Sequence, residues 1–166
     1  WLRVPQTTRV QLDGVLGAGV SAKDVMLMLC GQHGMGNEGQ VFEYGGSAVQ
    51  AMPMHERLTL CNMAAELGAE TGIVEPDATT LAALEQAGKP FNGDLAQWRS
   101  DADANYLHHY RYDADQIAPH VAAPHSPANS RPVGEHGKVH IDQAYIGACT
   151  GAKLTDLRMA AEVLKG

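Results

Sequence analysis

Residues 53–77 read PMHERLTLCNMAAELGAETGIVEPD, and this stretch decides the fold class. Pro53 suits the first position of a helix, where its missing N–H is no loss, and good helix formers continue to Gly68. ETGIVEPD then offers a brief apolar strand. Asp77 is placed to cap a second helix, TTLAALEQA, which Gly88-Lys89-Pro90 ends. A helix, a short strand and another helix on tight connections belong to an α/β architecture.

Working outward toward the amino end, the pattern repeats. VPQTTRVQLDG alternates apolar and polar residues, as a half-buried strand does. Ser21, with Asp24 three residues on, forms a capping signature ahead of AKDVMLMLC, and Gly31 is the expected stop, so Cys30 falls in the last helical turn. The Gly-rich HGMGNEG reads as a loop and QVFEYGG as a strand. The order strand, helix, strand, helix, strand, helix predicts an α/β fold with a largely parallel sheet over residues 1–90.

Beyond Pro90 the character changes. Residues 91–137 are rich in Asp, Asn, His and Pro and read as a connecting region that holds at most one or two short strands. Residues 138–166 form a last unit: a strand to about Ile146, a Gly-containing turn around Cys149 and a helix from about Leu154. Both ends of the chain, Trp1 without an initiator Met and EVLKG in mid-helix, read as cut ends.

Composition narrows the function classes. The chain has 166 residues, 45% hydrophobic and 19% charged, which is ordinary for a folded globular protein. A net charge of −7 without a Lys/Arg cluster argues against nucleic acid as a partner. No apolar run approaches the roughly 20 residues of a membrane helix, and WLRVPQTTRV lacks the features of a signal peptide. The three cysteines, widely spaced and odd in number, fit a reducing compartment, so a cytoplasmic location is expected.

Two constellations carry possible chemistry. Gly147-Ala148-Cys149-Thr150-Gly151 sets a cysteine at a strand-to-helix turn, where helical N–H groups favour an anion. Its thiolate could be a nucleophile, a ligand to a metal or iron–sulfur cluster, or a small residue that only packs. Asn62 and Glu66, four apart, share a face of the 53–68 helix and call for a polar cavity, or else belong to an exposed stripe with Glu56, Met63 and Glu70. Neither His136 with His140 nor His108 with His109 is arranged to converge on a metal, and Cys30 and Cys61 read as packing residues. The stretch His33–Gly39 matches no nucleotide fingerprint.

Three ordered segments resemble the aconitase superfamily, and within it the large subunits of 3-isopropylmalate dehydratase. They are PQTTRVQLDGVLGAGVSAKDVMLMLCG, EYGGSAVQAMPMHERLTLCNMAAELGAETGIVEPD and DQAYIGACTGAKLTDLRMAAEVLKG, and together they span nearly the whole chain. The resemblance implies an aconitase-like fold and a hydro-lyase acting on a small hydroxy di- or tricarboxylic acid, with isopropylmalate favoured over the aconitase and homoaconitase substrates. It implies a 4Fe-4S cluster with Cys149 as one of three cysteine ligands and Thr150 beside it, the other two ligands lying outside this chain. An iron without a cysteine would serve as the Lewis acid. Glu66 matches the family's pocket glutamate and Asn62 the asparagine beside the cluster. A small subunit carrying the swivelling domain, separate or fused, is the implied partner.

One departure stands out. Where the family's usual loop reads Ser-Cys-Thr-Asn, this chain has Ala148-Cys149-Thr150-Gly151, losing a hydroxyl and an amide. That change leaves room for a different reading, a non-catalytic binding or assembly module on the same fold.

Overall fold

The computed structural model describes Trp1 and residues 3–166. Four strands form one sheet in the order β3-β2-β1-β4, with every neighbouring pair parallel. They are β1 (Gln6–Asp13), β2 (Gln40–Gly45), β3 (Thr71–Val74) and β4 (His108–Asp113). The first three are the strands expected from sequence. The fourth comes from within the stretch read as a connecting region, where it lines up beside β1 with Val10 opposite Tyr110 and Leu12 opposite Tyr112.

β1 is thereby an interior strand, and its alternating Thr8, Val10 and Leu12 are all buried. β2, covered on both faces, buries Val41, Phe42, Glu43 and Tyr44 in succession, as an inner parallel strand does. Glu43 is not left bare: Arg9 pairs with it, Ser100 Oγ donates to it at 2.8 Å and Tyr106 Oη at 3.3 Å.

α1 (Ala22–His33) presents Val25, Met26 and Leu29 to Leu60, Met63 and Leu67 in one core. Its start is the expected one: Asp24 Oδ2 accepts from Ser21 N at 2.8 Å and from Ser21 Oγ at 2.9 Å. Its end is not. Gly31 lies inside the helix, which runs on to His33, and its lack of a side chain serves packing: a Cβ there would stand 2.7 Å from the Ser130 carbonyl oxygen. The small antiparallel pair β5 (His120–Ala122) and β6 (Ser130–Pro132) presses on α1 at that point.

The 53–77 stretch divides more finely than its composition suggests. A short helix α2 (Ser47–Ala51) precedes it, and Pro53 caps α3 (Met54–Asn62) from just outside. Helical pairing then tightens to a 3-10 turn, Met63–Leu67, ending at Gly68 with φ 77°. The reason is the neighbouring loop: Asn37 Nδ2 donates to the Leu67 carbonyl at 2.7 Å, and a Cβ on Gly68 would meet the Met35 carbonyl. Asp77 caps α4 (Ala78–Gln86) through bonds from Thr79 N (2.9 Å) and Thr80 N (3.3 Å).

Arg57 anchors α3 from beneath. It is 2% exposed and donates to both oxygens of Asp77 (2.7 and 2.9 Å), to the Gln50 carbonyl (2.7 Å) and to the Met52 carbonyl (3.0 Å).

The strand expected to run to Ile146 does not form. Residues 138–149 follow an irregular path outside both sheets, and Val139, Ile141, Tyr145 and Ile146 are exposed. α5 (Leu154–Lys165) follows, close to where the sequence predicts it.

Candidate functional site

Two pieces distant in sequence meet at the carboxyl end of α3. Cys149 Sγ donates to Asn62 Oδ1 at 3.4 Å, across 87 residues of chain. Cys149 is exposed, whereas Cys30 is fully buried and Cys61 partly so. The three thiols therefore have different chemistry. Burial first, and the negative charge of Glu66 second, push the Cys30 thiol up to about 11, so it stays protonated at neutral pH. Burial also raises Cys61, against a lowering hydrogen bond from the Val74 backbone.

The loop that presents Cys149 is short and held from its carboxyl side. Ala148 adopts a left-handed conformation, φ 67°, rare for a residue with a side chain, and Gly151 N returns to the Ala148 carbonyl at 3.4 Å. After the loop, Lys153 N donates to Asp156 Oδ2 at 2.9 Å, closing the first turn of α5. Lys153 Nζ reaches back to the Thr150 carbonyl (3.1 Å) and across to Thr59 Oγ1 (2.8 Å).

Beneath this loop lies a cavity of about 210 Å³, bordered by His55, Thr59, Thr150, Lys153 and Asp156. A larger cleft of about 520 Å³ adjoins it, sharing His55, Glu56 and Thr155, with a mostly apolar wall that includes Val15, Leu16, Met52 and Met159. The cleft opens where β1 ends, at Gly14, the end of a parallel sheet where ligands commonly bind.

The sequence-predicted residues are thus partly assembled. Cys149 and Asn62 touch, and Thr150 joins the same loop contact through its carbonyl. Glu66 stands on the 3-10 turn, half-buried, close enough to Cys30 to raise its pKa, and neither Cys149 nor Asn62 is bonded to it. The other members of the suspected exposed stripe scatter: Met63 is in the core, and Glu56 Oε2 accepts from Ala22 N at 2.6 Å. Thr59 and Lys153 are the participants that the sequence reading misses. Thr59 carried a usable signal, being three residues before Asn62 and so on the same helical face.

For a metal, the chain offers one exposed thiol at this point. Among the described residues, no three His, Cys, Asp or Glu side chains converge on a common centre. A lone soft sulfur at an open turn beside an amide suits one corner of a cluster whose other ligands come from elsewhere.

The 3-isopropylmalate dehydratase large subunit of Heliobacterium modesticaldum is 42% identical across 100% of this chain, which covers 39% of that protein. A probable methanogen homoaconitase large subunit of Methanosarcina mazei is 44% identical across the full chain, covering 42% of it. The 3-isopropylmalate dehydratase large subunit 1 of Methanopyrus kandleri is also 44% identical, with 39% covered. The chain thus spans about two fifths of the length of the curated relatives it matches. The model of the aconitase family (aconitate hydratase) matches residues 1–140, from the first strand of the parallel sheet through Asn62 and Glu66 to the edge of the Cys149 segment, and on that match the chain belongs to the aconitase family.

Proposed function

We propose that this chain is part of a 4Fe-4S hydro-lyase that dehydrates and rehydrates a small hydroxy acid, most simply 3-isopropylmalate, in the cytoplasm. The observation that carries the reading is the pairing of the exposed Cys149 thiol with Asn62 at 3.4 Å, in a member of the aconitase family. The large-subunit names of the relatives support a small-subunit partner, separate or fused. Residues 1–90 would be the section carrying the pocket helix, 91–137 the connecting region and 138–166 the section carrying the cluster cysteine.

In this reading Cys149 holds one corner of the cluster, and its partner ligands come from outside the chain. When bound, the cluster supplies Lewis acidity for departure of the substrate hydroxyl. Asn62 orients the sulfur. Its Oδ1 accepts from the thiol in the free chain, and once the sulfur is a thiolate the Nδ2 end of the same amide is the matching donor. Thr150 sets the course of the loop through its carbonyl. Glu66 carries the proton of the leaving or attacking water at its carboxylate, and the neighbouring apolar core keeps bulk water from one side of it.

A second reading, homoaconitase, follows from the Methanosarcina mazei protein, whose 44% identity equals that of the Methanopyrus kandleri isopropylmalate dehydratase. Assaying the full-length protein with isopropylmalate, citrate and homocitrate separates the two. Turnover of isopropylmalate is expected, and Glu66→Gln should lower it by about 10²–10⁴ while keeping the cluster's visible spectrum. No turnover of any of the three by a cluster-loaded protein would refute the enzyme reading in favour of a binding module.

A further inference from the structure

We propose that Lys153 is the positioning residue of the Cys149 loop: its ammonium pins the loop to Thr59 of α3, so that the sulfur is presented beside Asn62. This rests on the reading of Cys149 as a cluster ligand.

The need for such a pin follows from what the loop lacks. The approach to it, residues 138–146, has no strand neighbour and leaves Tyr145 and Ile146 exposed, so the preceding segment does not hold it. The left-handed Ala148 favours relaxation rather than order. A thiol hydrogen bond of 3.4 Å to Asn62 is weak on its own.

Lys153 supplies what is missing through three contacts. Its backbone N–H and ammonium meet Asp156 (2.9 and 3.4 Å), fixing the start of α5. The ammonium donates to the carbonyl of Thr150, the residue next to Cys149, at 3.1 Å. It also donates to Thr59 Oγ1 at 2.8 Å, a charge-assisted bond between the loop and α3.

Thr59 is suited to receive it. Its hydroxyl is buried and spends its own proton on the His55 carbonyl at 3.1 Å, leaving lone pairs turned to the ammonium. Thr59 and Asn62 are three apart on α3, so one helical face takes the lysine at one position and the cysteine at the next.

The test uses the full-length protein, reconstituted anaerobically, as Lys153→Met, Lys153→Arg, Thr59→Val and Cys149→Ser variants. Two quantities are read: cluster iron lost to a chelator over time, and deuterium exchange of the 147–153 amides in the cluster-free protein. Lys153→Met and Thr59→Val are each expected to speed both by about tenfold, the scale of one lost charged hydrogen bond, with Lys153→Arg recovering most of the loss. A lysine that merely stabilised α5 would leave Thr59→Val unchanged and speed exchange along 154–165 instead. That outcome, or parent-like behaviour of Lys153→Met, overturns the proposal. Cys149→Ser keeps the two readings apart. If it retains iron, Cys149 is no ligand, and the exchange data alone then decide whether Lys153 pins the loop.

Discussion

Replacing Arg57 with Met removes four hydrogen bonds while keeping most of the side chain's volume, so the cavity contribution is small. Breaking a buried ion pair commonly costs about 3–5 kcal/mol, because a charge is left stranded. Here the stranded partner is Asp77, whose side chain is 32% exposed, so water takes over much of that role. The Gln50 carbonyl belongs to an exposed residue and is also rehydrated, while the Met52 carbonyl, on a buried residue, is orphaned at about 1–3 kcal/mol. The net expectation is about 2–4 kcal/mol of lost stability. With a denaturant slope of about 2 kcal/mol per molar, the urea midpoint should fall by about 1–2 M. Far-UV circular dichroism against urea measures it, and a shift of about 0.3 M or less would refute the view that Arg57 holds α3 in place.

Three further outcomes are expected. Gly31→Ala gains up to about 1 kcal/mol of helix propensity but sets a Cβ 2.7 Å from a backbone oxygen, so thermal unfolding should show net destabilisation; a raised midpoint would contradict the packing of β6 on α1. Hydrogen bonds from Arg57 hold the Asp77 carboxyl below its usual range, so its contribution is complete above about pH 4 and is lost as pH falls through the lowered folded value. The stability gap between the parent chain and Asp77→Asn should therefore be constant from pH 7 to about pH 4 and close below it; a gap that closes at higher pH would reverse the sign. In native alkylation at pH 8, with peptides mapped by mass spectrometry, Cys149 should react first; Cys30, with a thiolate fraction of roughly 10⁻³ and full burial, should react only on unfolding, and early modification of Cys30 would contradict its placement.

The parallel sheet was legible because its signals are local. Alternation in β1, the caps at Ser21 and Asp77 and the apolar run of β3 each lie within a few residues. What escaped is tertiary. β4 has an ordinary polar composition, HHYRYD, and becomes a strand because β1 offers a free edge. Gly31 looks like a helix stop until Ser130, 99 positions away, is seen against it. The converse holds for Val139–Ile146, which has strand-like residues and joins neither sheet. At the site, Cys149 and Asn62 were found singly, one by its turn and one by its helix face. Their meeting, and the Lys153–Thr59 bond beside it, span 87 and 94 residues, and no short-range pattern encodes them.

If this chain delivers one cluster ligand through Cys149, iron and sulfide content will report it. Full-length Cys149→Ser, Cys30→Ala and Cys61→Ala proteins are reconstituted side by side and compared with the parent. Clear loss of iron and sulfide is expected in Cys149→Ser alone, with Cys30→Ala and Cys61→Ala close to the parent and altered only in stability. Equal loss from all three, or a parent-like cluster in Cys149→Ser, would contradict it.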